Sequence, residues 1–596
     1  MEVRRTFDLL DRYAEKFVIE DAFAIKRNKK WELFSTKDYI DNSHYFAYGL
    51  MEMGYKVGDK IATVSNNRPE WNFIDMGLSL GGFIHVPIYP TISESEYAHI
   101  FADSGVKMLI LSDKLLLKKL SPLAEEATTI REIFTINTIE GEKNYGEILA
   151  LGKKTEPKHK EALLKHKESI SSKDLVTIIY TSGTTGNSKG VMLSHQNLVS
   201  NFIATAPVQP MEFGAKVLSF LPLCHVYERM MNYHFQYKGL RIYYAENMGT
   251  IADNLKEIKA DGFNTVPRLL EKVYDKIVAK GKDLSGIKKV IFFWAVNLGL
   301  RYELNGENGW LYEQKLKLAR KLVFDKWNEA LGGNISTIVS GGSALQPRLA
   351  RVFHAAGMKV MEGYGLTETG PVIAVNNAYY PNIKFGTVGP VIDGVEVRIA
   401  EDGEILCKGP NVMMGYYNAP DLTAEVIDED GWFHTGDIGV LEDDKFLKIT
   451  DRKKEIFKLS SGKYVAPQAV ENKFKESIFI EQIMVVGENE KFASALVSPN
   501  FNHLHFWASK HKVHYRDNME LVRKPEVVAR FQKEVNIVNK KLSLTENVKR
   551  FRIVCDEWSP NTRELSPTLK LKRKNIYEKY DHILREIYRY SNGNGD

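Results

Sequence analysis

Cysteine is scarce in this chain. Its 596 residues hold three, Cys224, Cys407 and Cys555, far apart and without a CxxC pair. That excludes a disulfide framework and a cysteine-built zinc site, and it suits a reducing compartment. Long apolar runs are missing too. The most apolar span, Val290 to Leu300, is interrupted by Asn297 and is too short to cross a bilayer. The N-terminus, MEVRRTFDLLDRYAEKF, scatters charges where a secretion signal needs an apolar stretch. A dominant charge is also absent. A net charge of +5 over this length does not call for nucleic acid, and it suits anionic small substrates or mild attraction to a membrane surface. The expected location is cytoplasmic, with peripheral contact at the inner face of a membrane left open.

What is present is ordinary globular sequence, 44% hydrophobic and 26% charged, too long for one core. Through the first three-quarters, mostly continuous apolar runs alternate with helical patterns. They are IATVS (61–65), VKMLILS (106–112), LVTIIYTS (175–182), KVLSFLP (216–222), ISTIVSGG (335–342) and MKVMEGYG (358–365). Such runs predict strands buried on both faces, as in parallel α/β sheets. Between the last two lies ALQPRLARVFHAAG, with helical spacing of its apolar residues, so the three predict a βαβ unit. After about residue 385, VEVRIAEDGEILCKG and IMVVGENEKFASALVSP predict hairpins. The stretch from about 275 to 330 is helical in pattern and rich in lysine, without a chemical role readable from spacing. The closing YSNGNGD predicts a frayed tail.

Five stretches hold chemistry-bearing residues. YTSGTTGNSKGV (180–191) has the small residues of a phosphate-gripping loop, yet it misses the P-loop spacing, since Ser188 stands five residues after Gly183 and no Gly-Lys pair follows. A strand running into this loop and a helix after it would aim N–H groups at an anion, with Thr181, Ser182, Thr184 and Thr185 as hydroxyl donors and Lys189 as a mobile charge. The structural alternative is a glycine-rich turn. EGYGLTETG (362–370) ends a predicted parallel strand, where open α/β sheets bind ligands; Tyr364 offers a flat face and Glu368 an oxygen ligand for magnesium. A capped polar turn would read the same. In GWFHTGDIG (431–439), Asp437 could grip a ribose diol or merely close an Asx turn. DRKKEIFKLSSGKYVAP (451–467) and SPTLKLKRK (566–574) could each be solvated basic segments.

In this order the five stretches resemble the AMP-forming adenylating enzymes, the superfamily of acyl-CoA synthetases, luciferases and adenylation domains. The resemblance covers nearly the whole chain. LPLCHVYERM (221–230), VPRLLEKVYDKI (266–277) and GGSALQPRL (341–349) resemble its long-chain fatty acyl-CoA synthetases. It implies an α/β fold: a large N-terminal domain of stacked α/β sheets with a small barrel-like β subdomain (1–450), a hinge (451–458) and a small mobile α+β C-terminal domain (459–596). It also implies fatty acid, ATP and coenzyme A as substrates and Mg2+ as the ion. A relative acting on an aryl or medium-chain acid, or loading a carrier protein, stays open, as does a homodimer.

By motif position the resemblance places magnesium at Thr181 and Glu368. It places pyrophosphate along Thr181, Ser182, Gly183, Thr184, Thr185, Gly186 and Lys189. Adenine and the α-phosphate fall along Gly363, Tyr364, Gly365, Leu366 and Thr367. Asp437 and Arg452 would grip the ribose, with Lys454 and Lys458 nearby, and Lys570 would be the mobile catalytic lysine. There are two departures. TLK stands where some relatives have SGK, and Arg229 stands where bacterial relatives have a gating tryptophan. His225 and Tyr227, with Gly341 and Gly342, are the expected acid-site residues instead.

Overall fold

The computed structural model describes residues 2–181, 188–559, 562–566 and 570–588. The chain divides into two compact units. The first takes in the chain up to Arg398, with Leu406–His434 and Glu442–Leu447; the second takes Ile399–Ile405, Thr435–Leu441 and the chain from Lys448 onward.

In the first unit the apolar runs become two large sheets. One has seven strands in the order Gly415–Tyr416, Lys189–Ser194, Leu175–Thr181, Ile84–Ile88, Lys60–Val64, Met108–Leu111, Glu132–Thr135. Its last five strands are parallel. The other has eight, in the order Val372–Val375, Lys359–Gly365, Thr337–Ser340, Gly262–Thr265, Lys216–Ser219, Arg241–Tyr244, Phe23–Arg27, Lys30–Phe34, antiparallel only at its two ends. The expected βαβ unit is there: Thr337–Ser340 and Lys359–Gly365 pair in parallel across the helix Pro347–Ala355.

Helices buried on nearly every side lie between the sheets. Every residue of Pro69–Leu80 but Glu70 is buried, and so are ten of the thirteen in Val226–Lys238, including charged ones. One apolar core joins them to strand residues of both sheets, among them Ile179 and Val191 on one side and Val217 and Tyr244 on the other. A helix with no solvent face must bury its polar residues with partners. Arg229 and Glu228 are the result.

Two local expectations are corrected. The sequence after the phosphate-loop motif does not go straight into a helix. Lys189–Ser194 turns back as a strand antiparallel to Leu175–Thr181, and the helix His195–Thr205 starts only afterwards, capped by Ser194. The two described ends of the motif are therefore paired strands. Asp437 is not in a turn but inside the strand Phe433–Glu442.

In the second unit Gly439 N donates to Gly403 O at 3.0 Å, Thr450 Oγ1 to Ile438 O at 3.2 Å and Lys453 N to Gly436 O at 2.8 Å, lining up sheet segments. The expected hairpin Ile480–Val486 with Ser494–Pro499 forms, and Arg550–Ile553 adds to it in parallel. Helices Pro467–Phe474 and Pro525–Asn539 share a core with this sheet. The result is a mixed α/β chain, with a large N-terminal body of mainly parallel sheets and a smaller C-terminal one.

Candidate functional site

Ser182, Gly183, Thr184, Thr185 and Gly186 lie outside the described residues, but both flanks of their loop are defined. Thr181 pairs with Lys189 across the hairpin. The helix Glu94–Ser104 braces each flank. Tyr180 Oη donates to Asp103 Oδ2 at 2.5 Å, and His99 Nε2 donates to the Ser188 carbonyl at 2.9 Å. Gly190 is small for a steric reason: a Cβ there would stand 2.8 Å from Ile178 Cγ2 and 3.1 Å from the Tyr180 ring.

The outer edge of Lys189–Ser194 pairs with Gly415–Tyr416, and this places a residue that motif reading missed. Tyr416 Oη donates to Glu368 Oε1 at 2.9 Å, and Lys189 Nζ stands 4.9 Å from the centre of the Tyr416 ring. Met413 N donates to the Glu368 carbonyl at 2.8 Å. Lys189 and Glu368, far apart in sequence, thus meet around one tyrosine. Glu368 sits in the single turn Thr367–Thr369, closed by Leu366 N donating to Thr369 Oγ1 at 3.0 Å. Gly363, Tyr364 and Gly365 end the strand before it; a Cβ on Gly365 would lie 1.8 Å from the Pro371 carbonyl. The donors here suit a hard cation. Glu368 offers a carboxylate oriented by Tyr416, and Thr181 a hydroxyl at the strand end, the oxygen set magnesium takes together with phosphates. Among the described residues no group of three or more His, Cys, Asp or Glu forms a protein-only metal cage.

A second group gathers at the carboxyl ends of the eight-stranded sheet. Tyr227 Oη donates to Val339 O at 3.0 Å, and a Cβ on Gly341 would stand 3.3 Å from the Tyr227 ring. His225 caps the helix, its Nδ1 accepting from Tyr227 N at 3.1 Å. Gly342 follows with φ of 82°. His225, Tyr227 and Gly341 therefore do come together. Ser340 Oγ and Asn264 Oδ1, on adjacent strands, are buried and make no hydrogen bond among the described residues. Arg229, by contrast, lines nothing. It is wholly buried, with Nη2 2.5 Å from Asp75 Oδ1, Nη1 donating to Thr177 Oγ1 at 2.7 Å and Nε to Tyr233 Oη at 2.9 Å.

Next to these strand ends, Glu362 accepts from Leu345 N at 2.8 Å. Burial pushes its carboxyl from 4.5 up to about 8, despite that one donor. A raised folded-state value favours the protonated form. The stability it carries is present below about 4.5 and lost as pH rises through about 8. Glu362→Gln should therefore gain stability relative to the wild type as pH goes from 5 to 8, measured by urea unfolding. Parallel pH curves would refute the assignment.

In the second unit Asp437 and Arg452 meet directly, Nε to Oδ1 at 3.0 Å, on adjacent strand segments. Asp437 is buried, and its N–H donates to Thr435 Oγ1 at 3.1 Å. Lys454 and Lys458 are exposed; Lys458 Nζ lies 5.7 Å from the Tyr464 ring centre. It is Lys453, not singled out by the motif, that enters an acidic pair, 2.6 Å from Asp402 and 2.8 Å from Glu404. Burial pushes the Asp451 carboxyl up to about 7. Lys570 is exposed; Ser566 N donates to Lys570 O at 2.7 Å and Lys570 N to Ser566 Oγ at 3.0 Å. The basic residue beside it with a buried role is Arg573, which bridges Glu455 at 2.9 Å and Glu471 at 2.8 Å.

Residues 10–417 match the family described as AMP-binding enzyme, and 454–592 the AMP-binding enzyme C-terminal domain. Long-chain-fatty-acid–CoA ligase FadD15 of Mycobacterium bovis is 32% identical over 91% of this chain and 90% of its own length. Long chain acyl-CoA synthetase 6, peroxisomal, of Arabidopsis thaliana is 31% identical over 91% of this chain and 79% of its own. Among solved structures, the adenylation domain of a carboxylate reductase from Mycobacterium chelonae matches with a TM-score of 0.76 at 19% identity, covering 98% of this chain and 91% of that one. A Mycobacterium tuberculosis fatty acyl CoA synthetase matches at 0.60 and 18%, covering 97% and 99%. The structural likenesses show a shared fold.

Proposed function

The chain belongs to the AMP-binding enzyme family and is an AMP-forming acid–thiol ligase, and we propose that its acid is a long-chain fatty acid and its thiol coenzyme A. The observation that carries the choice of acid is the alignment with a ligase named for long-chain fatty acids over 91% of this chain and 90% of that one.

A carboxylate is a poor electrophile and needs a better leaving group before a thiol can displace it. In the first half-reaction a carboxylate oxygen attacks the α-phosphorus of ATP, the bond to the bridging oxygen breaks, and pyrophosphate leaves. In the second, the sulfur of coenzyme A attacks the acyl carbon, its proton passes to solvent, and AMP leaves with the electron pair of the acyl–oxygen bond. No nucleophile on the chain is needed. The work left to side chains is positioning and neutralising charge on phosphorus.

In this reading Lys189 and the hydroxyls of its loop hold the departing pyrophosphate. Tyr364 offers a face for adenine. Asp437 accepts the ribose hydroxyls, oriented by its ion pair with Arg452. Glu368 and Thr181 would hold magnesium, which when bound spreads phosphate charge. His225, Tyr227 and Gly341 line the acid end. Residues 451–458 act as a hinge about which the C-terminal part, carrying Lys570, turns between the half-reactions.

A panel of acids from short to very long, with aryl acids included and pyrophosphate release as readout, tests the reading. Palmitate-length acids should give the highest kcat/KM. Faster turnover of aryl or medium-chain acids would refute the long-chain assignment, and AMP release that needs a carrier protein instead of coenzyme A would refute the thiol.

A further inference from the structure

One short segment, residues 411–417, joins the turn that carries Glu368 to the strand that carries Lys189. Asn411 Nδ2 donates to Thr369 O at 3.1 Å and Met413 N to Glu368 O at 2.8 Å, so the segment holds the backbone of the carboxylate's turn. Met414 N then donates to Met192 O at 3.0 Å and Tyr417 N to Gly190 O at 2.7 Å, which ties the same segment to the strand Lys189–Ser194. Tyr416 is the side chain between the two. Its hydroxyl donates to Glu368 Oε1 at 2.9 Å, while its ring centre stands 4.9 Å from Lys189 Nζ. It is buried, and its own N–H donates to Thr423 Oγ1 at 2.9 Å.

The two charges on either side of this ring create a problem. A carboxylate meant for a divalent cation and an ammonium meant for phosphate attract each other across any short gap. Paired, each would neutralise the other: the carboxylate would hold the cation weakly, and the lysine would be withheld from the anion. Among the described residues the two form no ion pair with each other. A phenol satisfies both without letting them meet. Its O–H donates to the carboxylate, and its π face attracts the ammonium. We propose that Tyr416 is a positioning residue for the adenylation step: its hydroxyl orients Glu368, and its ring keeps Lys189 apart from that carboxylate until the nucleotide phosphates arrive. The inference rests on the reading of Glu368 as the magnesium carboxylate and Lys189 as the pyrophosphate contact.

The test measures binding by the full chain of α,β-methylene-ATP, a nucleotide whose α–β bridge does not break. Calorimetry gives its Kd without divalent metal and with saturating Mg2+, and the ratio of the two is the gain from the metal. Tyr416→Phe keeps the ring and loses the hydroxyl. It should leave the metal-free Kd within about twofold of wild type and cut the gain about tenfold, the usual size when a hydrogen bond to a metal-binding group is lost. Tyr416→Leu loses the ring as well, so Lys189 pairs with Glu368; metal-free binding should weaken about threefold or more and the gain should fall further. Adding Lys189→Met to Tyr416→Leu releases the carboxylate, and the gain should return to that of Tyr416→Phe. A tyrosine that only fills space would give no such recovery. Where Tyr416→Leu does not fold, Tyr416→Phe decides alone. The proposal is overturned if Tyr416→Phe keeps the wild-type gain while Glu368→Gln abolishes it, or if the double variant gains no more than Tyr416→Leu. An undiminished gain in Glu368→Gln would instead remove the reading of Glu368, and this inference with it.

Discussion

Lys570→Ala should slow acyl-adenylate formation by a factor of about a hundred to a thousand, while thioester formation from supplied acyl-adenylate stays within a few-fold of wild type. The size follows from what one preorganised charge contributes when it faces charge developing in a transition state. In the first half-reaction a carboxylate and a triphosphate, both anionic, must meet at one phosphorus, so a removed cation costs most there. In the second, the adenylate is already made and the nucleophile is a thiol, so the demand for that cation falls. Lys570 is exposed, and the hydrogen bonds that its backbone makes with Ser566 survive the substitution. The variant should therefore still fold. Pyrophosphate release reads the first half-reaction and acyl-CoA formation from synthetic adenylate reads the second. Equal loss in both would sink the assigned role, and so would a loss confined to the second.

Arg573, three residues on, is the contrasting case. It reads in the sequence as one more member of a basic run, yet it holds two carboxylates, one of them deeply buried. Composition does not separate these neighbours, because the partners Glu455 and Glu471 are about a hundred residues earlier. The same limit explains Tyr416. Its partners Glu368 and Lys189 come to it through a two-residue strand pairing, too short to leave a pattern. What sequence does carry is periodicity. The runs of the parallel sheets and the βαβ unit around Pro347–Ala355 were legible, because strands buried on both faces have no polar alternation to confuse them. Where short polar strands take over, legibility fails. Lys189–Ser194 runs straight into a capped helix, and the helix signal hides it. Phe433–Glu442 does alternate, with Phe433, Thr435, Asp437 and Gly439 facing inward, but half of that buried face is polar and reads as a turn.

Arg229 shows the same limit at the scale of the whole fold, and it supports the largest stability effect expected here. Arg229→Trp places a tryptophan where the sequence resemblance expects an acyl gate. It should not create a gate; it should remove about 3–5 kcal/mol of stability, the usual cost of breaking a buried ion pair from one side. The reason lies in what surrounds the guanidinium. It meets Asp75, Thr177 and Tyr233, and Asp75 also accepts from His85 Nδ1 at 2.6 Å, all of them buried. Burial alone would raise the Asp75 carboxyl; Arg229, with His85 and Tyr233, outweighs it and holds the group at about 2. A depressed value means stability that is present above the ordinary 3.8 and lost only as pH falls toward 2. Without Arg229 that sign reverses, because an isolated buried carboxylate is better protonated. The deficit of the variant should therefore widen as pH rises from 4 to 7 in urea titrations. Neutralising the orphan should narrow it: D75N/R229M, which replaces the pair with groups of similar volume, should recover most of the loss. The acyl-chain profile of Arg229→Trp, measured where it is still folded, should match the wild type. A loss below about 1 kcal/mol, or a shifted chain-length preference without destabilisation, would mean that position 229 faces the acid after all.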